Sequence, residues 1–236
     1  MITFYKSYSI AWLLLVSLLV TQVFAGTGPS QEVKLAASNG GAYGNFGDVV
    51  SLSNNIALIG AKGFSSGSGI AYIFRSGDGG STWNQQQNLT ASNSSANDKF
   101  AYSVSVYNDI ALIGAYGDDN ERGKAYIFRS SDGGVTWPEF ETVTLTATAR
   151  AQYDMFGYSV SIFGSVAVIG ASGEDFYQGS VYIFRSSDGG VSWPTSETTK
   201  LTASDGSSPD RFGDSVSIYG DIILVGAPLS DSYKGS

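Results

Sequence analysis

Residues Phe212-Gly-Asp-Ser-Val-Ser-Ile-Tyr-Gly-Asp-Ile-Ile-Leu-Val-Gly-Ala-Pro228 begin by alternating polar and apolar side chains, turn at Gly220-Asp221, and then run apolar without a break into Gly-Ala. Alternation predicts a half-buried strand, and a short continuous apolar run predicts a strand buried on both faces. The same sentence returns, with substitutions, from Phe46, Phe100 and Phe156, so the four phenylalanines are 54, 56 and 56 residues apart. Gly60, Gly114, Gly170 and Gly226 keep that spacing, so whole units are repeated. A period of this length, made of short strands and glycine turns, predicts an all-β fold: a partial β-propeller of four-stranded antiparallel blades.

The second unit shows the plan of a blade. Tyr102–Val106 alternates, Asn108-Asp109 turns, and Ile110–Ala115 is the buried central strand. A polar loop, Tyr116–Lys124, leads to the strand Ala125–Arg129, and a glycine turn ending at Trp137 leads to an outer strand over Thr142–Ala147. A twisted sheet with two apolar faces needs a neighbour on each side, which radial stacking supplies. Blades are expected at 46–91, 100–147 and 156–203, with part of a fourth at 212–236. Within 26–45, residues 33–37 align with Leu89-Thr-Ala91 and Leu201-Thr-Ala203 and are expected to form an orphan outer strand. Gly235-Ser236 aligns with Gly179-Ser180, which precedes a strand. The sequence is therefore expected to be a fragment, a truncated product or a partial propeller that must associate. An uncovered sheet face and edge favour self-association. The glycine of each Gly-Ala step is expected to let the backbone pass close to the axis without a side chain. A phosphate cradle is not supported, because these glycines open no helix.

The first 25 residues read as a secretory signal peptide: Lys6, an apolar run from Ile10 to Val20, and a small-residue cleavage pattern at Val23-Phe24-Ala25. Its removal leaves 211 residues with 12 basic and 21 acidic side chains, and no membrane span is expected afterwards. The localisation expected is secreted or cell-surface. An acidic chain poor in Lys and Arg is not built to displace counterions from nucleic acid or to sit on anionic membranes. With neither histidine nor cysteine, there is no Ser-His-Asp triad, thiol nucleophile or Cys/His zinc site. No cofactor is expected, and an enzyme is the less favoured class.

A second signal is the turn Ser76-Gly-Asp78-Gly-Gly80-Ser-Thr-Trp83, which recurs with Ser130, Asp132, Gly134 and Trp137 and again with Ser186, Asp188, Gly190 and Trp193. Asp-Gly and Gly-Gly supply positive φ, and the aspartate can accept amide hydrogen bonds. Burying roughly 200 Å² of indole contributes up to about 5 kcal/mol, so three copies at blade spacing read as structural staples.

The segments Leu201-Thr-Ala-Ser-Asp205, Asp210-Arg-Phe-Gly-Asp-Ser-Val216 and Val225-Gly-Ala-Pro228 closely resemble the FG-GAP repeat. The resemblance covers nearly all of residues 34–236. It implies the propeller found in the heads of integrin α chains and in many exported proteins, and hence a protein–protein or cell-surface interaction module. The second unit departs from the motif with Phe100-Ala101, and Lys62, Tyr116 and Ser172 stand where the motif has proline. The tryptophan turns resemble Asp-boxes, which in sialidases lie away from the catalytic face. Calcium-binding members carry a long Asp/Asn-rich loop between the first two strands. Here those turns are Ser53-Asn54-Asn55, Tyr107-Asn108-Asp109, Phe163-Gly164-Ser165 and Tyr219-Gly220-Asp221, too short for six to eight oxygens. Integrin-type metal sites are expected to be absent.

Alternating strand direction puts the 2–3 loops and the connections between blades on one face. That face is long and variable, where a rigid scaffold recruits function. Its candidate binding residues are Tyr116, Asp118, Asp119, Glu121, Glu174, Asp175, Phe176, Tyr177, Asp231 and Tyr233. The acids suit a cation, a basic partner or simple solvation, and the aromatics suit a protein or a sugar ring, so the partner expected is an unknown protein or glycan. A lectin-like propeller is the alternative reading. Arg75, Arg129 and Arg185 end equivalent strands and are expected to brace the turn or a neighbouring blade. No carboxylate pair stands out for glycoside hydrolysis. Asn88 and Asn93 match the N-glycosylation pattern.

Overall fold

A computed structural model of the chain describes residues 2–6, 22–23, 32–40 and 44–236. Most of the expected signal peptide, including Ile10–Val20, lies outside these residues. Among the described residues no helix is long and apolar enough to cross a membrane.

Three four-stranded antiparallel sheets and a two-stranded fourth follow one another in chain order. The first contains Val49–Ser53, Ile56–Ala61, Ile70–Arg75 and Asn84–Leu89. The second contains Ser103–Tyr107, Ile110–Ala115, Lys124–Arg129 and Val143–Leu145. The third contains Phe156–Phe163, Val166–Ala171, Ser180–Arg185 and Thr199–Leu201. The fourth pairs Ser215–Tyr219 with Ile222–Gly226. Strands pair in sequence order within each sheet, and the first strands of adjacent sheets adjoin. The architecture is a partial β-propeller, with the first strand of every sheet innermost.

The second strands carry the core. Every residue of Ile56–Ala61, Ile110–Ala115 and Val166–Ala171 is buried. Each of the first two sandwiched layers joins the Ile and Leu of one sheet to the Phe, Ala, Ile and Tyr of the next, as in Ile56, Leu58, Phe100, Ile113 and Tyr126. Ile110, Leu112, Phe156, Ile169 and Tyr182 repeat the layer one sheet later. Full burial of one such Leu or Ile contributes roughly 1.5–3 kcal/mol, and each layer holds several.

Polar groups join the sheets along the axis. Serines on the alternating inner strands reach sideways: Ser51 Oγ accepts from Val106 N at 3.0 Å, Ser105 Oγ from Ile162 N at 3.1 Å and Ser161 Oγ from Ile218 N at 3.1 Å. An inner strand lacks a ladder partner on its axial edge, so these hydroxyls satisfy amides that would otherwise be bare. This is why the polar positions of the inner strands are serine rather than charged.

The Gly-Ala glycines do a different job from the one expected. A Cβ on Gly114 would collide with the carbonyl of Gly157, and one on Gly170 with the carbonyl of Gly213. A Cβ on Gly60 would meet Ala101 in the same way. These glycines make room for the Phe-Gly corner of the following sheet, not for the axis. Ser103 Oγ and Ser159 Oγ then donate to the same two carbonyls, at 2.8 and 2.7 Å.

Val33–Leu35 lies against the first sheet, with Leu35 buried among Ala57, Ile59 and Tyr72. Ser38 N donates to Gln85 Oε1 at 2.9 Å, just as Ser92 N donates to Glu141 Oε2 and Thr148 N to Glu197 Oε2 one and two sheets later. The segment thus stands as the outer strand of a blade preceding the first sheet. Its edge pairs antiparallel with Ile2–Lys6, which is flanked in turn by Gln22–Val23.

The tryptophan turns are built alike. In the first, Ser76 Oγ accepts from Gly80 N at 2.7 Å and donates to Asp78 Oδ1 at 2.9 Å. Asp78 also accepts from Thr82 N and Thr82 Oγ1 at 2.8 and 2.7 Å. The indole Nε1 donates to Gly80 O at 3.2 Å, and Trp137 and Trp193 repeat that bond to Gly134 and Gly190. Each later indole also joins the layer shared with the sheet before it, Trp137 beside Ile56 and Trp193 beside Ile110. The staple therefore fastens two blades rather than one. Arg129 braces the same end of its sheet through Asp109 at 3.2 Å.

Bonds from Thr82 and Ser76 hold the Asp78 carboxyl down to about 2. A carboxylate depressed on folding lends stability that is complete above its ordinary value and is lost as pH falls through its folded value. Carbon-detected titration of the side-chain carboxyls is expected to put the Asp78 midpoint near 2, with Asp132 and Asp188 also below the usual range. An ordinary midpoint near 4 at Asp78 would show that the Thr82 bonds do not form in solution.

Candidate functional site

The 2–3 loops are not irregular. They are single helical turns at Phe64–Gly67, Asp118–Glu121, Glu174–Tyr177 and Ser230–Tyr233. Inside them runs left-handed backbone: Ser65 and Ser66, then Asp119, Asn120 and Glu121, then Asp175, Phe176 and Tyr177. Left-handed geometry costs about 1–2 kcal/mol per non-glycine residue, so surrounding bonds must hold it. They do. Gly123 N returns to Asp118 O at 2.9 Å, and Gly179 N to Glu174 O at 3.0 Å. The connection entering the next sheet adds Met155 N to Glu121 O at 2.9 Å and Arg211 N to Tyr177 O at 2.8 Å.

The first residue of each turn points inward. Asp118 and Glu174 are buried, and neither forms part of an open binding surface. Asp118 accepts from the Tyr126 hydroxyl at 2.5 Å and pairs with Lys124 at 2.8 Å. Glu174 accepts from the Tyr182 hydroxyl at 2.7 Å and pairs with Lys200 at 2.6 Å. Burial first, and then the neighbouring carboxylate, push both phenols far above their ordinary range, so they act only as donors. These acids anchor the turn to the third strand.

What faces outward is the tip. Asp119 is exposed and reaches Arg122 at 3.3 Å and Arg150 at 3.4 Å. Asp175 and Asp231 are exposed, and Glu121 is partly so. Phe176 is 88% exposed and Tyr233 73% exposed. Tyr177 is half-buried with the Arg211 guanidinium 5.2 Å from its ring centre. A cleft of about 600 Å³ beside the second turn is lined by Asn93, Asp98, Asp118, Asp119, Glu121 and Lys124. Among the described residues no cluster of three or more acids is arranged to hold a metal ion.

Tyr116 belongs elsewhere. It meets Tyr102 at 4.5 Å and Tyr158 at 5.4 Å, and Tyr102 meets Tyr158 at 4.9 Å. Lys62, held by Asp48 at 2.5 Å, lies 4.6 Å from the centre of the Tyr102 ring. Burial raises the Tyr102 hydroxyl well above its ordinary value. Residues two past the repeat phenylalanine, Tyr102 and Tyr158, thus meet residues one past the Gly-Ala step, Lys62 and Tyr116. The equal spacing of those positions was in the sequence, but only the curvature of the stack brings them together.

Asp98, Asp154 and Asp210 were not singled out from the sequence. Each closes the connection before its phenylalanine, accepting from Ser95 N, Ala151 N and Ser207 N at 2.6, 2.6 and 2.7 Å. Their signal was present as an aspartate two residues before every later repeat phenylalanine. Of the two glycosylation candidates, Asn88 accepts from Gln85 Nε2 at 2.6 Å, and the Asn93 amide lies 3.0 Å from the Tyr126 hydroxyl.

The FG-GAP repeat matches residues 29–74, 83–128, 140–184 and 195–236. The chain belongs to the FG-GAP repeat family. Each matched stretch begins at an outer strand and ends at or near the third strand of the next sheet, so the sequence unit is offset by one strand from the structural blade. That offset is the same one that places Val33–Leu35 before the first sheet. No curated protein sequence matches the chain. Among solved structures, the WD40 domain of Toxoplasma gondii coronin is similar at 12% identity with a TM-score of 0.48, over 76% of this chain and 40% of that one. The chain therefore spans about two fifths of that structure's length.

Proposed function

We propose that this FG-GAP chain is an exported, non-catalytic interaction module that engages a protein or cell-surface partner through the tips of its 2–3 turns. One observation carries the reading: Phe176, 88% exposed, is held in left-handed backbone on a turn fixed at both ends. A bulky residue at positive φ is an outlier, and strain maintained beside an exposed aromatic is a mark of a recognition surface. A rigid aromatic anchor gives contact area at little entropic cost. Export is supported by the apolar leader in the sequence and by the family's prevalence among extracellular proteins.

Labelled protein is expected to bind intact cells of its source, and Phe176→Ser to weaken that binding at least tenfold while leaving the melting temperature unchanged. Equal binding by the variant would remove Phe176 from the surface. The lectin reading draws on Tyr177 and Tyr233 beside exposed carboxylates, a mixture that suits sugar rings and hydroxyls. A glycan array that retains signal for the native chain and loses it for Tyr233→Ala would favour that reading instead.

A further inference from the structure

Two phenols meet across the boundary between the second and third sheets. Tyr102 immediately precedes the inner strand of the second sheet, and Tyr158 lies within that of the third. Their ring centres are 4.9 Å apart with the planes at 45°, and the Tyr102 hydroxyl donates to the Tyr158 hydroxyl. Neighbouring bonds fix the pair. Ser103 Oγ donates to Gly157 O at 2.8 Å, and Tyr102 N and Tyr158 N each donate to a turn carbonyl at 3.0 Å, of Lys99 and of Met155. The ortho carbons of a phenol flank the carbon that carries the hydroxyl, so bonded hydroxyls on tilted rings bring two ortho carbons side by side. Tyr116 is placed differently: it stands edge-on to Tyr102 at 78°, and its ring centre is 5.4 Å from that of Tyr158. Both Tyr102 and Tyr158 are partly exposed, within reach of a small oxidant. The Lys62 ammonium, 4.6 Å from the Tyr102 ring centre, opposes positive charge on that ring, so an electron leaves it together with the hydroxyl proton.

We propose that Tyr102 and Tyr158 form an oxidative cross-linking site, joined ortho carbon to ortho carbon as a dityrosine by a peroxidase-class enzyme with hydrogen peroxide. Each phenol gives up one electron and its hydroxyl proton and becomes a phenoxyl radical. The two radicals combine to form one carbon–carbon bond. The ring hydrogens at the new bond then move to the oxygens and restore both phenols. Hydrogen peroxide takes up the two electrons and two protons and leaves as two waters, so the chain loses two hydrogen atoms. The link ties two inner strands that belong to different sheets, in a chain with no cysteine to do so by a disulfide. It closes a loop of about one repeat, which restricts the unfolded chain and stabilises the fold.

The test treats dilute full chain with a haem peroxidase and hydrogen peroxide, then reads dityrosine fluorescence, intact mass and fragment spectra of the digested product. The expected product is a single chain lighter by two hydrogen atoms, with Tyr102 bonded to Tyr158 and a melting temperature raised by about 10 °C. Tyr102→Phe and Tyr158→Phe are each expected to abolish the link within the chain, and Tyr116→Phe to retain it. Phenylalanine keeps the ring, and melting of the untreated variants checks that the fold survives. Should a variant fail to fold, the fragment spectra of the native chain decide alone, since they read the bonded residues directly. Tyr153, Tyr219 and Tyr233 are the more exposed tyrosines and are positioned to react between chains. Fluorescence confined to covalent dimers, a link mapped to another pair, a link that survives Tyr158→Phe, or oxygen added with no link overturns the proposal.

Discussion

Gly114→Ala is expected to destabilise the chain by about 3 kcal/mol or more, a large effect for a single methyl group. Overpacking a tight site costs roughly 1–3 kcal/mol when side chains can give way. Here the obstacle is the Gly157 carbonyl, backbone that belongs to the next blade. The methyl group also meets Ser103 Oγ, whose 2.8 Å bond to that carbonyl would be disturbed. A lost hydrogen bond of this kind adds about 1 kcal/mol. The second and third sheets would have to part at the Phe-Gly corner, loosening the layer that holds Phe156 and Ile169. For a chain of this size the loss lowers the melting temperature by about 10 °C. Gly77→Ala is the control, because no heavy atom approaches that position and its effect should stay within about 0.5 kcal/mol. Equal melting temperatures for the two variants would show that the Gly-Ala step tolerates a side chain and that the inter-blade reading is wrong.

Trp137→Ala should cost about 3–5 kcal/mol, the range for deleting a buried aromatic ring. Trp137 is 7% exposed and packs with Ile56 of the preceding sheet, so its removal opens a cavity between two blades. Trp83 makes the same indole bond to its own turn but is only partly buried, packed at the margin of the layer that holds Leu35. Trp83→Ala should therefore cost about half as much. The comparison separates two roles of the indole. If it served only its own turn, the two losses would be equal; if it fastens neighbouring blades, Trp137 must exceed Trp83. Urea unfolding of both variants decides between these outcomes, and a loss below about 1 kcal/mol at Trp137 would count against both roles.

Side-chain direction within the 2–3 turns is set by the fold and not by local pattern. The exposure of Phe176 and Tyr233 follows from their positions at turn tips. Asp118 and Glu174 look no different in sequence from Asp119 and Asp175, yet the first of each pair is buried under a tyrosine hydroxyl and a lysine. One residue of offset within a single turn reverses the direction of a side chain. Tyr116 shows the same limit: in sequence it opens a 2–3 loop, but the stacking of the sheets sets it against Tyr102 and Tyr158.

By itself the sequence determined the repeat, the strand order within each blade, the glycine turns and the absence of imidazole and thiol chemistry. These follow from local patterning, because strand period, turn geometry and residue identity are properties of neighbours along the chain. Only the tertiary structure decided which partner each repeated residue meets. That the glycines face a carbonyl, that the indoles span two sheets, and that Tyr102 meets Tyr158 all depend on the sheet packed alongside. Contacts between blades join residues some 55 positions apart, as Ser51 joins Val106, and no local pattern specifies them.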